Sequence, residues 1–347
     1  MIANTDYIKP IKLSIVIPVY SGADYLEKLV HQIDELCTSW ITHDAPIALS
    51  EAIFVDDASI DNSSSILNDL SAKYPWITTI QLSRNFGQHP ATSAGILYSS
   101  GDWVVTMDED LQHPPAMIEA LLLKAVMESF DIVYANPQKS VHQSLIRDLG
   151  SRFYKRLIAR LTGNKNIPYF NSFRLIRGSI ARAASSVCSH DTYFDIALSW
   201  FTQKVGFIAV VLKDERYIIS GKSGYSFLKL ISHARRMILS THSKALRILG
   251  LVGFLAFLVS LFYGSYIFFN AFFHWEVINI KGWSSLLLSI LFMGGVSVLL
   301  GSIILEYLSV ILLHTQGKPT FFVVDRSMDK TLLAFFKDRN NVDSAQG

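Results

Sequence analysis

Cysteine is almost missing from this chain: Cys37 and Cys188 are the only two in 347 residues. No disulfide framework can hold such a fold, and neither thiol stands at metal-ligand spacing, so both read as small reduced hydrophobes. Charge is scarce as well, at 17% of residues, against about 25% in an ordinary soluble domain. The formal net charge of +2 says little by itself, and no nucleic-acid partner is expected. Met1 to Lys12 holds no long apolar region, so no signal peptide is predicted. Internal repeats and low-complexity tracts are also missing, although the segment after Asp338 is polar enough to be disordered.

What fills the space is apolar. Half of the residues are hydrophobic and the mean hydropathy is +0.31, and the excess is concentrated. Ile248 to Phe273 carries no charge, nor does Gly282 to Leu305, and each is long enough as a helix to cross a hydrocarbon core of about 30 Å. A transmembrane hairpin is therefore predicted, with spans at about 248–273 and 283–312. Lys229, Arg235, Arg236, Lys244 and Arg247 precede the first span, and Lys318, Arg326 and Lys330 follow the second. The excess of positive flanks places both termini and the preceding two-thirds of the chain in the cytosol, at the plasma (inner) membrane. Lys222 to Leu246 sets Phe227, Leu228, Ile231 and Leu239 against Lys229, Arg235 and Arg236, a pattern suited to the headgroup layer.

Before the spans, apolar runs alternate with helical patterns. Leu13–Pro18, Ala52–Asp56, Ile77–Leu82, Trp103–Asp108 and Asp131–Ala135 read as strands, with Tyr25–Leu36, Asn62–Lys73, Pro90–Ser100 and Pro115–Ser129 as helices between them. Further strand-like pieces are Phe173–Ile176 and Phe207–Leu212. Such alternation predicts an α/β fold, a mainly parallel sheet covered on both faces, with ligands at the carboxyl ends of the strands. Polar motifs follow the first four strands: Pro18 to Gly22, Asp56 to Ser59, Ser83 to Gly87, and Asp108 to Asp110.

The last of these concentrates three acids at a strand end and stops at Pro114-Pro115. In an extended backbone Asp108, Asp110 and Gln112 would share one side, with Glu109 and Leu111 on the other. Oxygen donors grouped in this way suit a hard divalent cation. A solvated acidic turn before a proline helix start is the bland alternative.

Taken together, these motifs resemble the family 2 glycosyltransferases with a GT-A (Rossmann-like) fold, and within them the polyprenyl-phosphate glycosyltransferases. Dolichol-phosphate mannose synthases and bactoprenol glucosyl transferases are in that group. Ser14 to Tyr20, Phe54 to Ser59, Leu82 to Gly87, Met107 to Pro115 and Phe173-Arg174-Leu175 carry the likeness, in that order. The resemblance implies a GT-A domain over 1–218, interface helices over 219–246, a membrane hairpin over 247–313 and a cytosolic tail over 314–347. It further implies an inverting transferase that takes a nucleotide-sugar donor and a polyprenyl phosphate acceptor and uses Mg²⁺ or Mn²⁺. Pro18 and Tyr20 would cradle the nucleotide, and Asp56 or Asp57 would meet its base or ribose. Asp108 would contact the ribose or a metal-bound water, while Asp110 and Gln112 would hold the metal against the diphosphate. Asp108, Asp110 and Arg84 are the catalytic candidates. Arg147, Arg152, Arg174 and Arg177 are candidates for the acceptor phosphate, which guanidinium forks grip well. For Asp56-Asp57 an Asx turn and helix cap stays open, for Arg84 a structural ion pair, and for the arginines a basic face drawn to anionic lipid.

Several positions depart from the family pattern. Ser172 stands where many bacterial relatives carry an acid, Ser21-Gly22 where an Asn-Glu pair is common, and Gln88-His89 follows Asn-Phe-Gly. A phosphate acceptor with its second pKa near ~6 is mostly ionised at neutral pH and needs no protein base, so Ser172 suits that acceptor better than a sugar hydroxyl. Transfer to a lipid-linked saccharide or polysaccharide is the competing enzymatic reading, although the Gln-x-x-Arg-Trp motif of processive synthases is missing. A silent membrane scaffold is the competing reading of another class. Gly294, Gly295 and Gly301 would permit close helix packing, as in a homo-oligomer.

Overall fold

The computed structural model describes residues 10–137, 166–188, 192–210, 282–315 and 319–324, together with 258, 262 and 265. Seven strands form one sheet in the order β3-β2-β1-β4-β6-β5-β7. They are β1 (Ile11–Val19), β2 (Ile47–Asp56), β3 (Ile77–Gln81), β4 (Trp103–Thr106), β5 (Ile132–Pro137), β6 (Arg174–Arg177) and β7 (Val205–Val210). The helices are α1 (Leu26–Thr42), α2 (Ser63–Lys73), α3 (Gln88–Tyr98), α4 (Ile118–Met127), α5 (Gly178–Val187), α6 (Phe194–Phe201) and α7 (Trp283–Thr315).

β1 to β4 form the parallel half, which the alternating pattern predicts. Leu13 to Ile17 of β1 are all buried, as a strand covered on both faces must be. Ile15 and Ile17 point to one layer, against Leu26, Leu29 and Ile33 of α1 and Leu121 of α4. Val16, between them, points to the other, against Ala91 and Ala94 of α3. That second layer is unusually close: a Cβ added at Gly95 would meet Val16 Cγ1 at 2.5 Å and Val55 Cγ2 at 2.9 Å. α3 lies flat on the sheet because position 95 has no side chain.

The other half is mixed. β6 runs antiparallel to both β4 and β5, with Thr106 opposite Arg174 and Trp103 opposite Arg177. β4 stops at Thr106, two residues short of its predicted end, and β2 begins five residues earlier than predicted, at Ile47. α3 starts at Gln88, ahead of Pro90, because Gly87 at φ +97° supplies the sharp entry and a proline is tolerated in the first helical turn.

The β3 edge has company. Ser83 N–H donates to Phe322 O at 3.0 Å and Val324 N–H to Gln81 O at 2.9 Å, forming an antiparallel bridge between Leu82 and Val323. Part of the segment expected as a tail thus lies on the sheet. The second predicted span coincides with the continuous helix α7. Taken over the described residues alone, no helix is long and apolar enough to cross a membrane. The first span, apart from three residues, and the interface helices lie outside the described residues.

Candidate active site

All of β1 to β4 end at the same edge of the sheet, and β6, being antiparallel, begins there. Chain direction reverses between β1, which leads outward to β2 and β3, and β4, which restarts on the other side. A crevice opens at such a switch point.

Asp108 sits in this crevice, partly exposed. Its Oδ1 accepts from Gln88 Nε2 at 2.6 Å and its Oδ2 from Ser172 Oγ at 2.8 Å, so three loops meet on one carboxylate. Its own N–H donates to His113 Nδ1 at 2.9 Å. With that bond, and with its ring stacked on Phe173 at a centroid distance of 4.9 Å, His113 props the loop.

The simple alternation expected after β4 is corrected here. Leu111 has φ +61°, so the backbone turns sharply between Asp110 and Gln112 instead of running extended, and Leu111 itself is buried. Glu109 is buried too and reaches back to the first loop: it accepts from Tyr20 N–H at 3.0 Å and Ser21 N–H at 3.2 Å. This clamp gives Gly22 a reason, since a Cβ there would strike Glu109 Oε2 at 2.7 Å. Asp110 is buried, and its Oδ1 accepts from Gln112 N–H at 3.3 Å. Tyr20 is exposed, and Pro18 lies partly buried within β1.

Asp56 and Asp57 have separate employments. Asp56 Oδ1 accepts from Ser59 N–H at 2.8 Å, a local loop bond reaching one residue further than the Asx turn held open as an alternative. Asp57 spans two loops, taking Phe86 N–H on Oδ1 and Gly87 N–H on Oδ2, both at 2.7 Å. Burial pushes the Asp57 carboxyl above its ordinary value, against the downward pull of those two N–H groups. Arg84 lies in the loop so tied, its guanidinium 4.1 Å from the centre of the Phe86 ring.

The acceptor arginines divide. Arg147 and Arg152 lie outside the described residues. Arg174 is corrected from a phosphate ligand to a core residue: it is 3% exposed, ion-paired with the buried Asp195, and stacked against Phe194. Burial works against its charge, but Asp195 together with Tyr134 and Tyr193 outweighs that and holds the guanidinium above its ordinary value. Its Nη1 also donates to Asn171 O at 3.0 Å, which steadies the residue before Ser172. Arg177 is corrected by direction: opposite Trp103, at the amino end of β4, it lies at the far edge of the sheet from Asp108. There it pairs with Asp131 at 3.1 Å.

Among the described residues no group of three or more His, Cys, Asp or Glu is close enough to hold a metal. The donors present are nonetheless of the right kind. Asp108, Asp110 and Gln112 offer only oxygen and amide groups, and Mg²⁺ is commonly held by one or two carboxylates plus substrate phosphates.

Residues 14–184 match glycosyl transferase family 2. Across 316 residues the chain is 30% identical to an uncharacterized glycosyltransferase of Synechocystis sp., covering 91% of this chain and 95% of that protein. The chain belongs to glycosyltransferase family 2. Another family relative is an undecaprenyl-phosphate 4-deoxy-4-formamido-L-arabinose transferase of Klebsiella pneumoniae. It is 30% identical over 254 residues, which are 73% of this chain and 74% of its own. Among solved structures, mannosyl-3-phosphoglycerate synthase from Rubrobacter xylanophilus overlays 70% of this chain and 75% of its own. That likeness is loose, with a TM-score of 0.48 at 13% identity.

The chain is a glycosyltransferase, then, and its Asp-Glu-Asp loop is divided in labour. Reasoning from residue types found Asp108 and Asp110 but missed that Gln88 and Ser172 bracket the first, and that Glu109 fastens the loop to β1. The one available signal was that two of the departures from the family pattern, at 88 and 172, fall at the same sheet edge.

Proposed function

We propose that this family 2 glycosyltransferase moves a sugar, with inversion, from a nucleotide donor to a polyprenyl phosphate at the cytosolic face of the plasma membrane. The observation that carries this reading is the neutral bracket on Asp108: Ser172 Oγ, at 2.8 Å from Oδ2, occupies the place where a base for a hydroxyl acceptor would stand. An acceptor that is already ionised needs no such base. The K. pneumoniae relatives, named for transfer to undecaprenyl phosphate, point the same way.

In this reading the donor diphosphate enters the crevice between β1 and β4, with Tyr20 at its rim. Asp110 and Gln112, with Asp108 beside them, would hold Mg²⁺ or Mn²⁺. Such a cation, when bound, neutralises charge on the departing nucleoside diphosphate. Asp108 is kept in one orientation by Gln88 and Ser172, and Glu109 keeps the loop from drifting off β1. Asp57 and the Arg84 loop form the wall on the β3 side. Arg147 and Arg152 remain the candidates for gripping the lipid phosphate.

Membrane attachment rests on the uncharged runs 248–273 and 282–305. It is supported by the exposure of Leu286, Ile290, Phe292, Ile304, Leu308 and Ile311 along α7, an apolar surface that water would not favour. Val323 bridges Leu82 beside β3, so any crossings between residues 210 and 319 would be even in number, as in a hairpin.

The test supplies membranes holding the protein with Mg²⁺ or Mn²⁺, undecaprenyl phosphate and a panel of labelled nucleotide sugars. Label should enter an organic-soluble product, and Asp110→Asn should abolish it. Transfer from none of the donors, or label confined to a water-soluble polysaccharide, would overturn the proposal.

A further inference from the structure

Family membership and the site at Asp108 leave the β3 edge unexplained. Phe321 to Val324 pair there with the residues that lead directly into Arg84. Two backbone hydrogen bonds of 3.0 and 2.9 Å flank Leu82. Phe321 and Val323 pack on the cluster that contains Ile80, Leu82 and Ala91, while Phe322, between them, is exposed. That in-out-in order is the signature of a strand with one buried face. The same loop continues to Phe86 and Gly87, which Asp57 holds, and then to Gln88, which holds Asp108.

The attachment is also short. Thr315 ends α7, and Phe322 is only the seventh residue beyond it, a reach of at most about 25 Å even when fully extended. Whatever fixes α7 therefore restrains the loop that carries Arg84.

We infer that Phe321 to Val324 form a strap that holds the reacting edge of the sheet at a set distance from the end of α7, with Phe321 and Val323 as its positioning residues. The inference rests on the membrane reading above. In that setting the strap aims the crevice at a phosphate whose height is fixed by the bilayer. An acceptor free in solution can find the crevice at any height and gains nothing from the strap.

Full-length protein in phosphatidylglycerol-containing vesicles would be compared with Val323→Asp and Val324→Pro. The first sets a charge against Leu82 and Ile80. The second removes the N–H that Gln81 accepts while leaving residue 323 extended, as a following proline prefers. Each enzyme receives undecaprenyl phosphate in the bilayer or a short-chain, water-soluble isoprenyl phosphate, with a nucleotide sugar the wild type uses. Both variants should lose about tenfold or more in kcat/KM for the bilayer acceptor, the scale of a small misplacement of reacting groups. Neither should lose more than about twofold for the soluble one. Exchange at the Ser83 amide should quicken in both variants. Equal losses on the two acceptors would reduce the strap to a structural prop. Unchanged activity on both, or an unprotected Ser83 amide in the wild type, would overturn it outright. A wild type inactive on both acceptors would instead bring down the functional reading, and the positioning role with it.

Discussion

Asp57 offers the sharpest separation between a ligand and a clamp. It is 3% exposed and receives two backbone N–H groups at 2.7 Å. Hydrogen bonds to a charged group contribute about 1.5–3 kcal/mol each. Asp57→Ala strands both donors, so a loss of about 3–6 kcal/mol is expected before correction. Burial disfavours the charge, as the raised carboxyl pKa records, and returns part of this, leaving about 2–4 kcal/mol. Asp57→Asn keeps a carbonyl for one donor and turns an NH₂ toward the other, so about half is lost. At about 2–4 °C per kcal/mol for a domain of this size, the Asn variant should melt about 2–8 °C lower. Exchange at the Phe86 and Gly87 amides should accelerate more than elsewhere. Thermal melting, amide exchange and calorimetric titration with nucleoside diphosphate together decide the matter. An Asn variant with unchanged melting but tenfold weaker nucleotide binding would refute the clamp and restore Asp57 as a donor ligand.

Three further outcomes follow from neighbouring geometry. Ser172→Asp sets a second carboxylate against Asp108 Oδ2, so the pair should share a proton and the acid limb of the pH–rate profile should move to higher pH; an unmoved limb would mean the two side chains are apart in the working enzyme. Burial raises the Glu51 carboxyl, but the Ser100 N–H and the hydroxyls of Ser14, Ser100 and Ser50 outweigh it and hold it below its ordinary 4.5. Its stabilisation is therefore present above 4.5 and lost as pH falls through the lowered folded value, and Glu51→Gln should flatten the acid limb of a stability–pH curve. Gly95→Ala gains about 1 kcal/mol of helix propensity, but its Cβ strikes two stiff valines, an overpacking cost of about 1–3 kcal/mol. Net destabilisation in a urea melt is expected, and a stabilised variant would show that α3 can lift off the sheet.

Much of this site was legible in the residues. Buried runs such as Leu13 to Ile17 and Val104-Val105 announce parallel strands, and parallel strands put their following loops on one edge, so Asp57, Arg84 and Asp108 had to converge. Direction was not legible for β6. Arg-Leu-Ile-Arg carries no local mark of running antiparallel, and that single fact moves Arg177 to the opposite end of the sheet. Arg174 was hidden for another reason: its partner Asp195 is 21 residues onward, on a helix whose docking no short-range pattern encodes. The turn at Leu111 was equally silent, because a non-glycine residue at positive φ is held there by its surroundings rather than by its own preference.

The bridge between Leu82 and Val323 also dictates an order of events during synthesis. Its two partners are 241 residues apart, so at about 5–20 residues per second the ribosome needs roughly 12–50 s to deliver the second after the first. Through that interval β3 is an uncovered sheet edge, with the Gln81 carbonyl and the Ser83 amide open to another chain. The segment that covers the β3 edge emerges only after α7 has been made. A nascent chain stalled before residue 319 would carry every loop of the active site and still be a template for aggregation.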